Sequence, residues 1–430
     1  MNSKKTLQRK IAPKVNNRST LKLKEPERYS FSNGLEVFLF EDKSQEAVRF
    51  DLMFKTGSAC QEKALVAGAA NRLLKEGSEK YKAATVHSKV DYHGAYLDLQ
   101  TTKDYGFLSL YCLSKSLKAL LPLVSDMVKK PVFDKKHFDL YIQRQKQDFM
   151  ISSEKTKHLA NRIFTAKLYG EQTPYGKVAQ LSDFDHLNTN DLHHFHQKNC
   201  NPATTKMLIS GPVSEKILPM LESLFGTEWK SKEVVADFDQ KTSFSPDYFF
   251  QSKSGALQST VMMGRPVMER SHPDYPGFLL LNTILGGYFG SRLMANIRED
   301  KGYTYGIHSM VSPMRKATGF TIATDVGTKF TQSTIEEIKK ELVKLQQEKV
   351  KETELQLVKN YLTGTYLRSL DGVYNQADKF RVTIEQNTGL KYFSQSLSAI
   401  NAVSSSELLA LAQKYLSPEE MLVVVAGAEE

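Results

Sequence analysis

The chain has 430 residues, 40% of them hydrophobic and 25% charged, a balance that suits a globular protein with two or more domains. The net charge of +10 hints at a polyanionic partner until it is located: residues 1–24 hold six Lys, two Arg and no acid, leaving +2 (10 − 8) for the rest. Nucleic-acid binding is therefore not expected, no apolar run of about 18 residues predicts a membrane span, and the isolated Cys60, Cys112 and Cys200 argue against both a disulfide framework and a cysteine-based zinc site.

The basic start, "MNSKKTLQRKIAPKV", lacks the apolar stretch of a secretory signal and is expected to be a flexible leader over residues 1–24. Its acid-free composition also resembles an organellar transit peptide, though Pro13 interrupts it. Unpaired cysteines suit a reducing compartment, so a cytoplasmic location is expected.

In "YSFSNGLEVFLFED", Asn33-Gly34 turns one short strand into another, and "EAVRFDLMFKTGSA" alternates through Val48, Phe50, Leu52 and Phe54. "KALVAGAANRLLKEGSEKY" predicts a helix stopping at Gly77, and "GAYLDLQTTKDYGFLSLYC" a hairpin turning near Lys103–Asp104. The stretch from Ser116 to Lys155 reads as a helix, a break at Pro131 and a long second helix. The same order returns: strand "LQSTVMMGRP", helix "DYPGFLLLNTILGG", shorter helix "SRLMANIREDKG", hairpin "YTYGIHSMVSPMRKATGFTIATDV", then helix, break and helix from Ser333 to Leu367. This is an architectural repeat at a period of roughly 200 residues, with Gly106-Phe107 and Gly319-Phe320 opening the second hairpin strand of each half. The fold class predicted is α+β: two similar domains, each an antiparallel sheet packed with helices. Domain one is expected over 25–225 and domain two over 248–430, joined by a charged, aperiodic linker at 226–247 that ends near Pro246.

Two histidine groups deserve a metal test and fail it. His193 and His196 in "DHLNTNDLHHFHQ" share a helix face, yet beyond Asp191 no carboxylate has useful spacing; His186 and His194 add none, and His87 and His93 suit neither a helix face nor a strand face. "GGYFGSRL", with Gly286, Gly287 and Gly290, lacks the pattern of a phosphate loop and reads as a turn between helices. "REDKGYTYG", residues 298–306, reads as a helix stop running into a strand. Arg298 would then be a cation near a helix C-terminus, with Tyr305 a half-buried strand residue and Tyr303 a structural one.

Residues 258–309, with "NTILGG…SRL…REDKGYTYG", resemble the C-terminal-half signature of the pitrilysin/insulinase family, which includes the mitochondrial processing peptidase and its bacterial relatives. The stretch from "YSFSNGLEVFLFED" to "TPYGK" resembles the family's N-terminal domain. The resemblance implies a clam-shell arrangement of the two domains. It also implies a zinc site on the first long helix, where H-x-x-E-H puts two imidazoles and a base on one face and a later Glu completes the ligands. Aligned on "EGSEKY", this chain has Gly68, Asn71 and Arg72 in those places, and only Asp148 is acidic near the later ligand position. No zinc is expected in this chain.

The family also carries an Arg and a Tyr seven residues apart in the second domain, facing a zinc site. Here these are Arg298 and Tyr305, whose donors suit a substrate carbonyl and its developing oxyanion. A chain with the Arg/Tyr half and no zinc half resembles one subunit of the family's bacterial heterodimers. The implied partner is a zinc-bearing H-x-x-E-H subunit, the implied substrates are unfolded peptides, and this chain alone would be inert. Two other readings stand beside it: a structural subunit like the core proteins of the respiratory cytochrome complex, or a peptide-binding module without catalysis. Homodimerisation of the isolated chain is left open.

Overall fold

The computed structural model describes residues 23–231 and 237–429; most of the expected leader (1–22) and part of the expected linker (232–236) lie outside the described residues. Strands β1 (Glu27–Ser30), β2 (Glu36–Glu41), β3 (Ala47–Phe54), β4 (Tyr96–Thr101), β5 (Gly106–Leu113) and β6 (Lys206–Gly211) form one sheet in the order β1-β2-β6-β3-β5-β4. Strands β7 (Tyr248–Ser252), β8 (Gln258–Val267), β9 (Thr304–Pro313), β10 (Thr318–Gly327) and β11 (Leu422–Gly427) form the other, in the order β7-β11-β8-β10-β9. Setting β1 aside, the two orders coincide, so the repeat inferred from the element order is a repeat of topology. Each sheet is antiparallel except for one parallel pair, β2 with β6 and β7 with β11. β4 and β9 are edge strands, each the first strand of its hairpin.

The predicted helix pairs are present as Ser114–Lys129 with Lys135–Ser153, and Thr331–Gln347 with Glu352–Arg368. The first helix is shorter than expected. Leu65 sits in the left-handed region at φ 71°, the α-helix covers only Val66–Arg72, and a 3-10 turn (Leu73–Glu76) carries the chain to Gly77 at φ 126°. A helix at Ala83–Tyr92 escaped the sequence reading, because only Ala83 and Val86 of it are buried and its apolar period is too thin to register.

The alternation in β3 works as expected on one face. Val48, Phe50, Leu52 and Phe54 are at most 3% exposed and pack on Val66–Arg72 and Ser114–Lys129 in the first core. The opposite face is buried too, by a helix from the other half. Val373–Glu385 lies across this sheet, with Val373, Ala377 and Phe380 on Phe38, Phe40 and Leu208. Beneath it Arg49 bridges Asp51 at 2.7 Å and Asp378 at 2.8 Å, and the Ser109 hydroxyl donates to Asp51. The exchange is reciprocal. Helix Thr156–Tyr169 of the first half covers β8 and β11, packing Ala160, Phe164 and Leu168 on Met262, Leu422, Val424 and Ala426. Gly319 is required by this contact: a Cβ there would lie 2.5 Å from the Tyr169 hydroxyl.

The two hairpin tips meet where the halves join. Asp104, from the β4–β5 turn, is 6% exposed; it accepts the hydroxyl of the fully buried Tyr175 and, at 3.0 Å, the backbone N–H of Arg315 in the β9–β10 turn. The Arg315 guanidinium in turn clasps Asp237 with bonds of 2.6 and 2.8 Å.

Candidate functional site

Arg298 stands on a π-helical turn, Met294–Asp300, a wide form that repeatedly marks functional positions. The turn is anchored from within. Met294 and Ile297 are buried in the second core, Asn296 donates to Glu337 and Glu341 at 3.1 and 2.8 Å, and nearby Arg292 grips Glu354 with two bonds of 2.9 and 2.8 Å. It ends as a helix stop. Gly302 takes φ 65°, while the N–H groups of Lys301 and Tyr303 reach back to the carbonyls of Asn296 and Ile297, both at 3.0 Å. Tyr303 stacks on Phe330, with ring centres 4.6 Å apart and planes at 15°, and belongs to the packing. Arg298 is half-buried. Its guanidinium carbon lies 4.6 Å from the ring centre of Phe289, and among the described residues it has neither a hydrogen bond nor an ion pair.

Tyr305 owes its position to a β-bulge. Thr304 pairs with Val326 and Ile307 with Thr324, so Tyr305 and Gly306 together oppose the single residue Asp325. Strict alternation would put Tyr305 in the row of Ile307 and Ser309, which are 2% and 5% exposed; the extra residue takes it out of that row, and it is 92% exposed. The bulge is tied by one hydroxyl. Thr304 Oγ1 accepts the Gly306 N–H (3.1 Å) and the Thr324 hydroxyl (2.9 Å), and lies 2.7 Å from the Asp325 carbonyl to which it donates. Among the described residues the Tyr305 hydroxyl has no partner. Phe289 and the bulge were both missed in the sequence. A register shift depends on the partner strand and leaves no local signature, whereas an aromatic in a Gly-flanked loop could have been flagged.

His308, exposed on the same strand, was also passed over. Burial and then Lys157 hold its imidazole below the ordinary value, with Asp325 opposing them. Asp325 and Lys157 also border an open groove of about 770 Å³ between Glu154–Lys157 and the β7–β8 connection.

The positions where the family's zinc motif would lie are arranged as donors, not ligands. Gly68 faces open space. Asn71 is 8% exposed, and its amide nitrogen contacts the carbonyls of Gln100 (2.6 Å) and Phe107 (3.2 Å) and the Thr101 hydroxyl (3.2 Å). Arg72 donates to the Leu99 carbonyl at 3.2 Å. An amide nitrogen and a guanidinium carry no lone pair for a cation, and Arg72 adds a positive charge, so this set does not fit zinc. Asp148 is exposed on helix Lys135–Ser153, and among the described residues no three His, Cys, Asp or Glu side chains are grouped to hold a metal. The histidine cluster is structural. His193 and His196 contact the Val132 and Val128 carbonyls at 3.0 and 2.8 Å and flank the Phe133 ring. Among the described residues no helix is long and apolar enough to cross a membrane.

Family models match most of the chain: "Insulinase (Peptidase family M16)" over residues 36–175 and "Peptidase M16 inactive domain" over 186–362. The uncharacterized zinc protease YmxG of Bacillus subtilis is 20% identical over 403 residues, which are 93% of this chain and 98% of that protein. An uncharacterized zinc protease of Streptomyces coelicolor is 22% identical over 66% of this chain and 64% of its own length. Among solved structures, a peptidase M16 inactive domain from Pseudomonas fluorescens superposes with a TM-score of 0.86 at 22% identity, covering 94% of this chain and 98% of that one. A protease from Helicobacter pylori gives 0.85 at 18% identity, covering 94% and 99%. By these matches and the shared two-domain fold, the chain belongs to the M16 (insulinase) peptidase family, its second part matching the domain described as inactive.

Proposed function

We propose that this protein is the non-zinc subunit of a heterodimeric metalloendopeptidase, and that it lends Arg298 and Tyr305 to the scissile carbonyl of a peptide held in a zinc-bearing partner's site. The observation that carries the reading is the state of the pair: a half-buried guanidinium and a 92% exposed phenol, both without hydrogen-bond partners among the described residues. A family member whose own motif positions are Gly68, Asn71 and Arg72 presents two unpartnered donors, one on an anchored turn and one at a bulge in an edge strand. A guanidinium and a phenolic hydroxyl are both hydrogen-bond donors. Donors held in place before reaction stabilise the oxyanion more than the ground-state carbonyl, which raises kcat more than it lowers KM. The metal chemistry would belong to the partner, whose H-x-x-E-H helix supplies what Gly68, Asn71 and Arg72 lack. We take the division of labour to follow the expected boundaries, with 25–225 and 248–430 as the two domains.

A purely structural subunit would have the pair buried in its own domain, and the exposure of Tyr305 counts against that alternative. The test is co-purification of the tagged chain with an H-x-x-E-H homologue, followed by hydrolysis of an internally quenched peptide library by the pair. Arg298→Ala and Tyr305→Phe should each lower kcat by about 10²- to 10³-fold, the range for removing one oxyanion donor. A pair that hydrolyses equally well with Arg298→Ala would remove the proposed role.

A further inference from the structure

Several arginines in this chain are held by carboxylates. Arg292 is forked onto Glu354, Arg315 onto Asp237, and Arg49 lies between Asp51 and Asp378. Arg298 is held differently. Its neighbours Glu299 and Asp300 are exposed and make no ion pair with it, and its contact is the face of Phe289 at 4.6 Å, well inside the roughly 6 Å limit of a cation–π interaction. Phe289 itself is 66% exposed, so burial does not explain its position.

The loop that carries Phe289 is fixed on both sides. Gly286 lies against β9 so closely that a Cβ would sit 2.7 Å from the Ser309 nitrogen, and the Ser309 hydroxyl donates to the Asn282 carbonyl at 3.0 Å. Tyr288 rests on Tyr361 with ring centres 5.1 Å apart, and the Ser291 N–H closes the turn onto the Tyr288 carbonyl at 3.2 Å. Phe289 thus stands at the tip of a short, pinned turn with two side-chain torsions, against the long and otherwise unbonded side chain of Arg298. A carboxylate in this place would neutralise the guanidinium and occupy its N–H fork. An aromatic face attracts the cation and takes neither.

We infer that Phe289 is a positioning residue for Arg298: its ring face holds the guanidinium in a narrow range of orientations while leaving the charge and the N–H donors free for a substrate carbonyl. The contact with Arg298 stands on its own geometry, and only its catalytic consequence rests on the function proposed above.

The experiment uses the full chain with Phe289→Leu, which keeps an apolar side chain without a π face, and Phe289→Trp, which restores one. The first readout needs no partner: the rate at which p-hydroxyphenylglyoxal modifies Arg298, followed by peptide mass spectrometry with Arg292 as a carboxylate-bound reference. Loss of an exposed cation–π contact should raise the Arg298 rate about two- to fivefold in Phe289→Leu, and Phe289→Trp should return it to the parent value. Equal rates in all three proteins would overturn the inference. The second readout is the partner-reconstituted pair, where Phe289→Leu should lower kcat by a similar factor with KM unchanged; a change confined to KM would overturn the positioning role. If Arg298→Ala leaves the pair's rate unaltered, the proposed function fails, and the labelling result still decides whether Phe289 holds Arg298.

Discussion

Replacing Thr304 by Val keeps the shape of the side chain and deletes the one hydroxyl that ties the bulge under Tyr305. Four groups meet that oxygen: the Gly306 N–H and carbonyl, the Thr324 hydroxyl and the Asp325 carbonyl. They do not count equally. Thr324 keeps a second acceptor in the Gly306 carbonyl at 3.0 Å, and exposed Gly306 can pass its N–H to water. The half-buried Asp325 carbonyl is left worst off, so the cost should fall at the low end of the range for an orphaned group, about 1–2 kcal/mol. The larger consequence is for Tyr305, because relaxation toward regular pairing returns it to the inward row of Ile307 and Ser309. Urea denaturation reads the first effect. Tetranitromethane nitration reads the second, with Tyr92, 86% exposed and remote in sequence, as the internal reference. Tyr305 should nitrate about as fast as Tyr92 in the parent protein and clearly more slowly in Thr304→Val. An unchanged nitration ratio together with a stability change below about 0.5 kcal/mol would refute the claim that this hydroxyl sets the bulge.

Arg49→Ala should destabilise the protein by about 3–5 kcal/mol in urea unfolding, because it strands the 3% exposed Asp51 carboxylate; Arg49→Met with Asp51→Leu should recover most of that loss. Gly319→Ala should cost about 1–3 kcal/mol by pressing on the Tyr169 hydroxyl, and adding Tyr169→Phe should relieve part of it, as read from thermal unfolding of the single and double variants. Asp274 is held below its ordinary 3.8 first by the Lys414 ammonium and then by the Tyr415 hydroxyl. A lowered folded value means stability that is present above 3.8 and lost as pH falls through the folded value. Asp274→Asn should therefore flatten the acid limb of the stability curve below about pH 4 while leaving that limb's shape near neutrality unchanged.

What the sequence made legible were features with local causes. The helix break at Pro131, the turn at Asn33-Gly34 and the hairpin turn before Gly106 depend on backbone preferences within a few residues, and all are in place. The order of such elements was enough to reveal the repeat. Arg298 and Tyr305 could be singled out by spacing and resemblance, and so could the loss of ligands at Gly68, Asn71 and Arg72. What stayed hidden was set at long range. Arg49 and Asp51 alternate with apolar residues in β3 and read as a solvent face; they are buried because a helix more than 300 residues later covers them. The apolar stripe of Thr156–Tyr169 announces that something covers it, but not that the cover is the sheet of the other half. Tyr305 would look inward by period two, and only pairing with β10 reveals the extra residue.

The reciprocal clasp of Thr156–Tyr169 and Val373–Glu385 changes what a chain connection between the two sheets is for. In a pair of beads on a string, the string keeps the beads together, and cutting it frees them. Here each half wears a helix of the other as one wall of its own interior, so a protease nick in the connection would leave two fragments still locked as one body. The same clasp denies either half an independent life: made alone, the first would bare Phe38, Phe40 and Leu208, and the second Met262, Leu422 and Val424. On the function proposed above, any opening to admit a peptide would be a flexing of a single interlocked body, with Arg298 and Tyr305 carried on the half that holds the Thr156–Tyr169 helix of its neighbour.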